Sequence, residues 1–453
     1  MSAAARSQAA ERISASLSAS GPIPAAPPLS ASGPIVTRVV VTPVAMKDPP
    51  LLNASGVHEP YALRSIIELH TDSGIVGISE AYGDDPTLAQ LAVAAAVLPG
   101  LDVFHLNELT RRVTDASGGS AGSSPTELIG PASTRKSVAQ IIAAFEVACF
   151  DAQGKATGRS VADLLGGAVR DRVDFSAYLF YKWAEHPGGG HEPDPWGAAL
   201  DPDGIVAQAR RMVDLYGFGS LKLKGGVFEP EAEIEAVKAL RRAFPDRPVR
   251  IDPNANWSVA TSLRVAAALE GELEYLEDPT PGIPGMAEVA ARTSLPLATN
   301  MCVTIFDEIP ESVRRGAVQV ILSDHHFWGG LRASQRLAGI CETFGLGLSM
   351  HSNTHLGISL AAMTHLAAAT PNLTYALDTH SPWKSEEVIA GGPLEFVDGA
   401  LTLPAGPGLG VEIDQDALGR LHEQYLTCGI RRRDDAGQMR RVHPEWTGKR
   451  PRF

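Results

Sequence analysis

Lys224, Asp252, Glu277, Asn300, Asp324 and His351 follow one another at intervals of 28, 25, 23, 24 and 27 residues. Such an interval holds one strand, one helix and the two loops that join them. In a (β/α)8 barrel all strands end at one face, so groups one unit apart become neighbours around a single pocket. The set then comprises an amine, two carboxylates, an amide oxygen, and a carboxylate beside an imidazole. The chemistry needing all of these is proton abstraction next to a carboxylate. That proton is too weakly acidic for a side-chain base unless the enediolate is stabilised, and a divalent ion with a nearby ammonium supplies the stabilisation.

Ser220-Leu-Lys-Leu-Lys-Gly-Gly226 sets Lys222 and Lys224 two apart on a strand, hence on one side of the sheet. On an inward barrel face each ammonium raises the cost of charging the other, and desolvation acts the same way, so a depressed pKa and a general base are expected. Alone, the segment reads as solvated lysines at a strand edge. The flanking Leu221 and Leu223 and the Gly-Gly stop move the reading inward.

Asp252, Glu277 and Asn300 each end an apolar strand one step from the next. Two carboxylates and an amide oxygen suit a hard ion such as Mg²⁺, whereas a softer metal would want imidazole or thiolate. An isolated Asp or Asn at a strand end is usually a helix cap or turn residue; three at matched spacing form a ligand set. Asp324 and His351 close successive strands, so the carboxylate is placed to accept the imidazole N–H and fix its tautomer. Bases on opposite faces of one carbon could act on either configuration.

The elements that must position these groups fall into two patterns. The β-branched run from Ile35 to Val44, then Arg64 to Thr71 and Ile75 to Glu80 joined by Asp72-Ser73-Gly74, read as antiparallel strands. Helical periodicity follows over Pro86 to Leu98, Leu106 to Ser117 and Lys136 to Gly154. We assign 34–167 to an α+β domain. Beyond it, short strands at Val173 to Leu179, Ser220 to Lys224, Pro248 to Asp252, Tyr275 to Glu277, Leu297 to Asn300, Val318 to Leu322 and Leu346 to Met350 alternate with amphipathic helices. So many βα units favour a closed barrel, assigned to 168–400, with a final segment 401–453. The alternative, a doubly wound sheet, would want a G-x-G-x-x-G turn that is not in place.

Composition excludes other classes. A net charge of -13 repels polyanions, and Arg431, Arg432 and Arg433 are followed at once by Asp434 and Asp435, so a nucleic-acid partner is not expected. No apolar stretch reaches membrane-spanning length. Cys149, Cys302, Cys341 and Cys428 form no C-x-x-C pair, which fits a reduced, cytoplasmic setting. The first 33 residues, rich in Ala, Ser, Pro and Gly, read as a disordered tail without a secretory signal.

The runs Lys222-Leu-Lys-Gly-Gly, Asp252-Pro-Asn-Ala-Asn-Trp257, Glu277-Asp-Pro279, Ala298-Thr-Asn-Met301, Asp324-His-His-Phe-Trp328, His351-Ser-Asn353, Asp378-Thr-His380 and Pro407-Gly-Leu-Gly-Val-Glu-Ile-Asp414 resemble, in order, the glucarate dehydratases of the enolase superfamily. The resemblance runs from about Pro34 onward. It implies an α/β fold, a modified (β/α)7β TIM barrel with an N-terminal α+β capping domain to which 401–453 returns. It implies Mg²⁺ on Asp252, Glu277 and Asn300, with Lys224 and His351 as the two bases, Asp324 supporting His351, and Lys222 steadying the enediolate oxygen. The implied reaction is loss of water from D-glucarate, and from its epimer L-idarate, to 5-dehydro-4-deoxyglucarate, His351 also expelling the β-hydroxyl as general acid. A small acid-sugar (aldarate) partner and a homo-oligomer are expected with it.

By the same resemblance Asn53-Ala-Ser-Gly-Val-His58 is similar to the family's mobile loop, making Asn53 and His58 candidates for substrate binding. Tyr178, Ser352, His380 and Arg433 are further candidates; Arg433 would hold the distal carboxylate in a bidentate fork or belong to a solvated basic cluster. The chain departs from the family at Lys136-Ser137 in place of Arg-Thr, at Ser381-Pro382, and around Gly188, Gly189 and Gly190. A relative acting on another acid sugar, or only epimerising it, is the nearest alternative. A noncatalytic relative is a further one, although every chemical position holds a competent residue.

Overall fold

The computed structural model describes residues 33–117, 133–190 and 192–453. The expected tail lies, apart from Gly33, outside the described residues. Three strands come first, β1 (Val36–Lys47), β2 (Tyr61–Thr71) and β3 (Val76–Tyr82), forming an antiparallel sheet in that order. Helices α1 (Asp85–Ala95), α2 (Leu106–Ala116) and α3 (Thr134–Thr157) follow. Ser133 caps α3 by accepting from Lys136 N at 3.2 Å, and Gly158 ends it in the left-handed region at φ 67°.

Helix α3 lies directly on β3. A Cβ at Gly77 would stand 2.1 Å from the Ala148 carbonyl oxygen, and Ser79 Oγ donates to the Ala144 carbonyl at 2.5 Å. Backbone cannot yield there as a side chain would. Gly77→Val is therefore expected to lower stability by about 2 kcal/mol or more in urea unfolding.

A short helix α4 (Val161–Leu164) leads to β4 (Arg172–Asp174) and β5 (Ser176–Phe180). The single strand expected from Val173 to Leu179 is thus two: β4 pairs antiparallel with β12 (Ala400–Thr402), and only β5 enters the barrel. An apolar run carries no mark of where its pairing partner changes. Six βα units follow: α5 (Pro202–Tyr216), β6 (Ser220–Lys224), α6 (Pro230–Ala243), β7 (Val249–Asp252), α7 (Val259–Ala268), β8 (Tyr275–Glu277), α8 (Gly282–Ala290), β9 (Leu297–Thr299), α9 (Ile309–Arg315), β10 (Val320–Ser323), α10 (His325–Trp328), α11 (Leu331–Phe344), β11 (Gly347–Met350) and α12 (Gly357–Ala368).

Strands β5 to β11 form a seven-stranded parallel sheet in sequence order. An eighth stave closes it. Asp378 N donates to the Met350 carbonyl at 2.9 Å, and Ser176 N to the Leu377 carbonyl at 2.7 Å, so residues 377–378 bridge β11 to β5. The fold is α/β, with a capping region and a curled parallel barrel. The buried Arg250 plugs the lower end: its Nε donates to Glu274 Oε2 at 2.5 Å, and its Nη1 to Ser176 Oγ at 3.0 Å and the Ala376 carbonyl at 2.8 Å. The Tyr275 ring lies 4.8 Å from its guanidinium carbon and packs in a small cluster with Ala298, Val320 and Leu322.

Helix α13 (Gln415–Thr427) lies on β1, where the Pro43 carbonyl accepts from His422 Nδ1 at 2.7 Å and the Ala45 carbonyl from Gln424 Nε2 at 2.8 Å. A short helix α14 (Asp435–Arg440) follows. No helix among the described residues is long and apolar enough to cross a membrane, and all four cysteines are free.

One buried ion pair joins sheet and barrel. Arg64 Nε on β2 donates to Glu80 Oε1 on β3 at 2.7 Å, and Glu80 also accepts from Leu356 N at 2.9 Å and Ser359 N at 3.0 Å at the start of α12. Burial opposes the Glu80 charge, but Arg64 and these donors outweigh it and lower the pKa from 4.5 to about 2. Since the folded value is the lower one, the stabilisation is complete above pH 4.5 and is lost as pH falls toward about 2. Glu80→Gln is expected to flatten the pH dependence of the urea midpoint across that window, an effect of roughly 3 kcal/mol.

Candidate active site

Strand β6 is buried throughout, and its alternation sends Leu221 and Leu223 outward and both lysines into the barrel. Lys224 Nζ donates to Asp252 Oδ2 at 2.5 Å. Lys222 Nζ donates to Asp378 Oδ2 at 2.6 Å, stands 2.6 Å from Glu277 Oε2 and 3.9 Å from Asp252 Oδ2. The Tyr178 ring lies beneath both, 4.8 Å from Lys222 Nζ and 5.7 Å from Lys224 Nζ.

The depressed pKa expected from paired lysines is not what Lys222 has. Burial opposes its charge, but Asp378 and Glu277 outweigh burial and raise its pKa well above the ordinary value. The two ammonium groups stand among three carboxylates, Asp378 being the one outside the ladder. Asp378 stands on the closing stave, 27 residues after His351 (378 − 351), so the interval itself could have found it. Lys222 is therefore a fixed cation.

Asp252 and Glu277 are fully buried, and Asn300 is nearly so. Burial opposes the Asp252 charge, yet Lys224 and Lys222 hold its pKa below the usual value; Glu277 is pushed well above by burial, reinforced by Asp252 and Asp378 against Lys222. Glu277 makes no hydrogen bond beyond the Lys222 ion pair, and Asn300 Oδ1 has no partner. Buried oxygens left this way are costly, and they fit a hard cation. Asp278 builds the ligand loop: it accepts from Thr299 Oγ1 at 2.5 Å, Asn300 N at 2.8 Å and Met301 N at 3.1 Å, with its own φ at 36°. Glu233 does the same after β6, accepting from Gly226 N at 2.8 Å, Val227 N at 2.8 Å and Phe228 N at 3.0 Å. The sequence held no signal for either role.

Across the mouth, His351 Nδ1 lies 3.2 Å from Asp324 Oδ2. Burial raises the Asp324 pKa, but His326 and His351 outweigh burial and hold it well below the usual range. Asp324, His325 and His326 also offer ligand atoms within 4.8 Å of one another. Asp324 Oδ1 already accepts from His326 N at 2.9 Å and Nδ1 at 2.8 Å, while His325 Nδ1 is buried without a hydrogen bond, as are the oxygens of Glu277 and Asn300.

The substrate-binding candidates divide. His380 packs against Tyr178 at 4.9 Å and Phe180 at 5.2 Å, and burial with nearby His58, His355 and His351 pushes its pKa well down. His380 Nδ1, Ser352 Oγ, Thr354 Oγ1 and His355 Nε2 are buried without partners. Asn53, His58 and Arg433 are engaged by two carboxylates, with His58 also 6.0 Å from the Phe180 ring that packs on His380. Asn53 Nδ2 donates to Asp435 Oδ2 at 2.7 Å, Arg433 holds Asp435 through Nε at 2.8 Å and Nη2 at 2.7 Å, and His58 Nδ1 lies 2.9 Å from Asp48 Oδ2. The fork expected for a ligand carboxylate is closed on Asp435, with the Arg433 side chain 29% exposed. Lys136 is buried and pairs with Glu308 at 3.0 Å. Glu308 in turn accepts from Thr304 N at 2.7 Å in the loop after Asn300.

A capped parallel barrel with a carboxylate and amide set between a lysine and a histidine–aspartate pair defines the enzymes that draw a proton from beside a carboxylate. The chain belongs to the enolase superfamily: residues 35–166 match the mandelate racemase / muconate lactonizing enzyme N-terminal domain, and 204–417 the enolase C-terminal domain-like family. It is 54% identical over 418 residues, 91% of this chain and 97% of the relative, to a probable glucarate dehydratase of Streptomyces coelicolor. A Thermobispora bispora enolase complexed with magnesium and formate is 59% identical, with a TM-score of 0.91 over 93% of this chain and all of that one. A Pseudomonas fluorescens enolase with bound magnesium, potassium and tartrate is 55% identical, with a TM-score of 0.91 and the same coverage.

Proposed function

We propose that this chain dehydrates an acid sugar, D-glucarate first and L-idarate with it, to 5-dehydro-4-deoxyglucarate. The observation carrying the reading is the buried, unpartnered oxygen set of Glu277 and Asn300 beside Asp252, flanked by Lys224 and by His351 on Asp324. Support comes also from the relative named a probable glucarate dehydratase and from the tartrate, a hydroxy dicarboxylate, held with magnesium in a similar structure.

Asp252, Glu277 and Asn300 would hold Mg²⁺, which when bound supplies Lewis-acid charge to the substrate carboxylate. Lys222 stays cationic and faces the charge that develops as the α-proton leaves. Lys224 or His351, according to configuration, takes that proton, and the C–H pair becomes the enediolate π bond. The pair then returns to form the Cα–Cβ double bond while the β C–O bond breaks. Where His351 took the α-proton, it returns it from Nε2 to the departing hydroxide. Where Lys224 took it, His351 must enter the cycle already protonated on Nε2 to do so. Either route gives water and an enol that becomes the 2-keto acid. Asp324 holds His351 Nδ1 and orients the ring throughout.

With Mg²⁺ and D-glucarate, a semicarbazide-reactive keto acid should accumulate. Absence of product across a panel of aldarates and aldonates would end this reading; deuterium uptake from solvent without keto-acid release would identify an epimerase.

A further inference from the structure

Asp324 orients His351, and a second histidine orients Asp324. Oδ1 accepts both the backbone N–H and Nδ1 of His326, leaving Oδ2 to His351. The other ring nitrogen of His326, Nε2, stands 3.1 Å from Arg64 Nη2 and 3.0 Å from Ser359 Oγ. A guanidinium has donors and no acceptor, so Nε2 must accept and the ring carries its proton on Nδ1. That proton is the one Asp324 Oδ1 receives.

Arg64 has little freedom to do otherwise. It is 1% exposed, paired with Glu80, and lies over the Tyr82 ring with its guanidinium carbon 4.5 Å from the centroid. Glu80 also holds the first turn of α12, which follows the loop bearing His351 and Ser352. A continuous hydrogen-bonded chain thus runs from the N-terminal sheet to the barrel's imidazole, with Asp324 accepting from a histidine on either side. We propose that Arg64 and His326 are positioning residues: Arg64 sets the tautomer of His326, His326 saturates one oxygen of Asp324, and the other oxygen then fixes His351 with its proton on Nδ1 and its Nε2 lone pair toward the pocket. This rests on the reading of His351 as an acid and base.

The rival is that the network merely docks the cap. The two part company in the full chain with Arg64→Met, His326→Leu and His326→Asn, whose amide N–H stands in for Nδ1–H. The ring ¹⁵N spectrum of histidine-labelled protein without substrate should show His326 and His351 protonated at Nδ1, and Arg64→Met should mix both tautomers. Both Arg64→Met and His326→Leu should lower kcat for dehydration by about 10²-fold with KM nearly unchanged. Solvent exchange at the Lys224 face should keep its wild-type rate, and His326→Asn should recover most of kcat.

Equal losses at the two faces, an Asn variant as impaired as Leu, or ring spectra unmoved by Arg64→Met would each overturn the proposal. If Arg64→Met does not fold, the His326 pair decides. Should the wild type turn over no acid sugar, the proposed function fails, while the ring spectra still decide this chain of residues.

Discussion

His351→Asn is expected to remove keto-acid formation by about 10⁴-fold in kcat while α-proton exchange at the Lys224 face continues. The asymmetry follows from where the groups stand. Lys224 comes from β6 and is anchored on Asp252; His351 follows β11 and is anchored on Asp324. Asn can accept the role of neither base nor acid, since its amide does not titrate in water, yet it fills similar space and leaves Lys222, Asp252 and Glu277 untouched. Exchange seen by proton NMR in deuterated buffer, with keto-acid release assayed in parallel, separates the two functions. Loss of exchange at both faces would show that His351 is needed for binding and not for proton transfer alone.

Glu277→Gln should have the second-largest effect, and in two directions. Three carboxylates, Asp252, Glu277 and Asp378, surround Lys222 within 3.9 Å. The change replaces an anionic ligand oxygen by a neutral amide oxygen, so Mg²⁺ affinity by calorimetry should fall about 10²-fold and turnover with it. The same change relieves repulsion among buried anions while Lys222 keeps Asp378, so the metal-free variant should melt above the metal-free wild type. A variant that binds Mg²⁺ normally would remove Glu277 from the ligand set. One that melts lower would mean that Glu277 chiefly serves Lys222.

What was legible in the sequence was whatever repeats. Strand ends one βα unit apart gave Lys224, Asp252, Glu277, Asn300, Asp324 and His351, because a barrel's regular closure converts interval into proximity. The break between β4 and β5 was not legible, since Val173 and Leu179 are equally apolar and differ only in which strand they meet. Nor was the closing of the Arg433 fork on Asp435, two residues away, because adjacency in a loop does not say which groups turn toward each other. The Lys222 charge is illegible for a related reason: its like-charged neighbour Lys224 is adjacent in sequence, whereas Glu277 and Asp378 reach it only through folding. Arg64 and His326, 262 residues apart, meet across the two parts of the fold and obey no period.

Arg250 and Tyr275, both fully buried with the guanidinium carbon 4.8 Å from the ring centroid, fill the lower end of the barrel. On Lys224 a hydron taken from carbon joins two others on a rotating ammonium, and isotopic memory is diluted. On His351 it sits alone on Nε2 and can go back to the carbon it left or out with the departing hydroxide. Under the proposed roles of Lys224 and His351, the two faces of the carbon would therefore differ in how well they remember a label, with internal return favoured on the imidazole side.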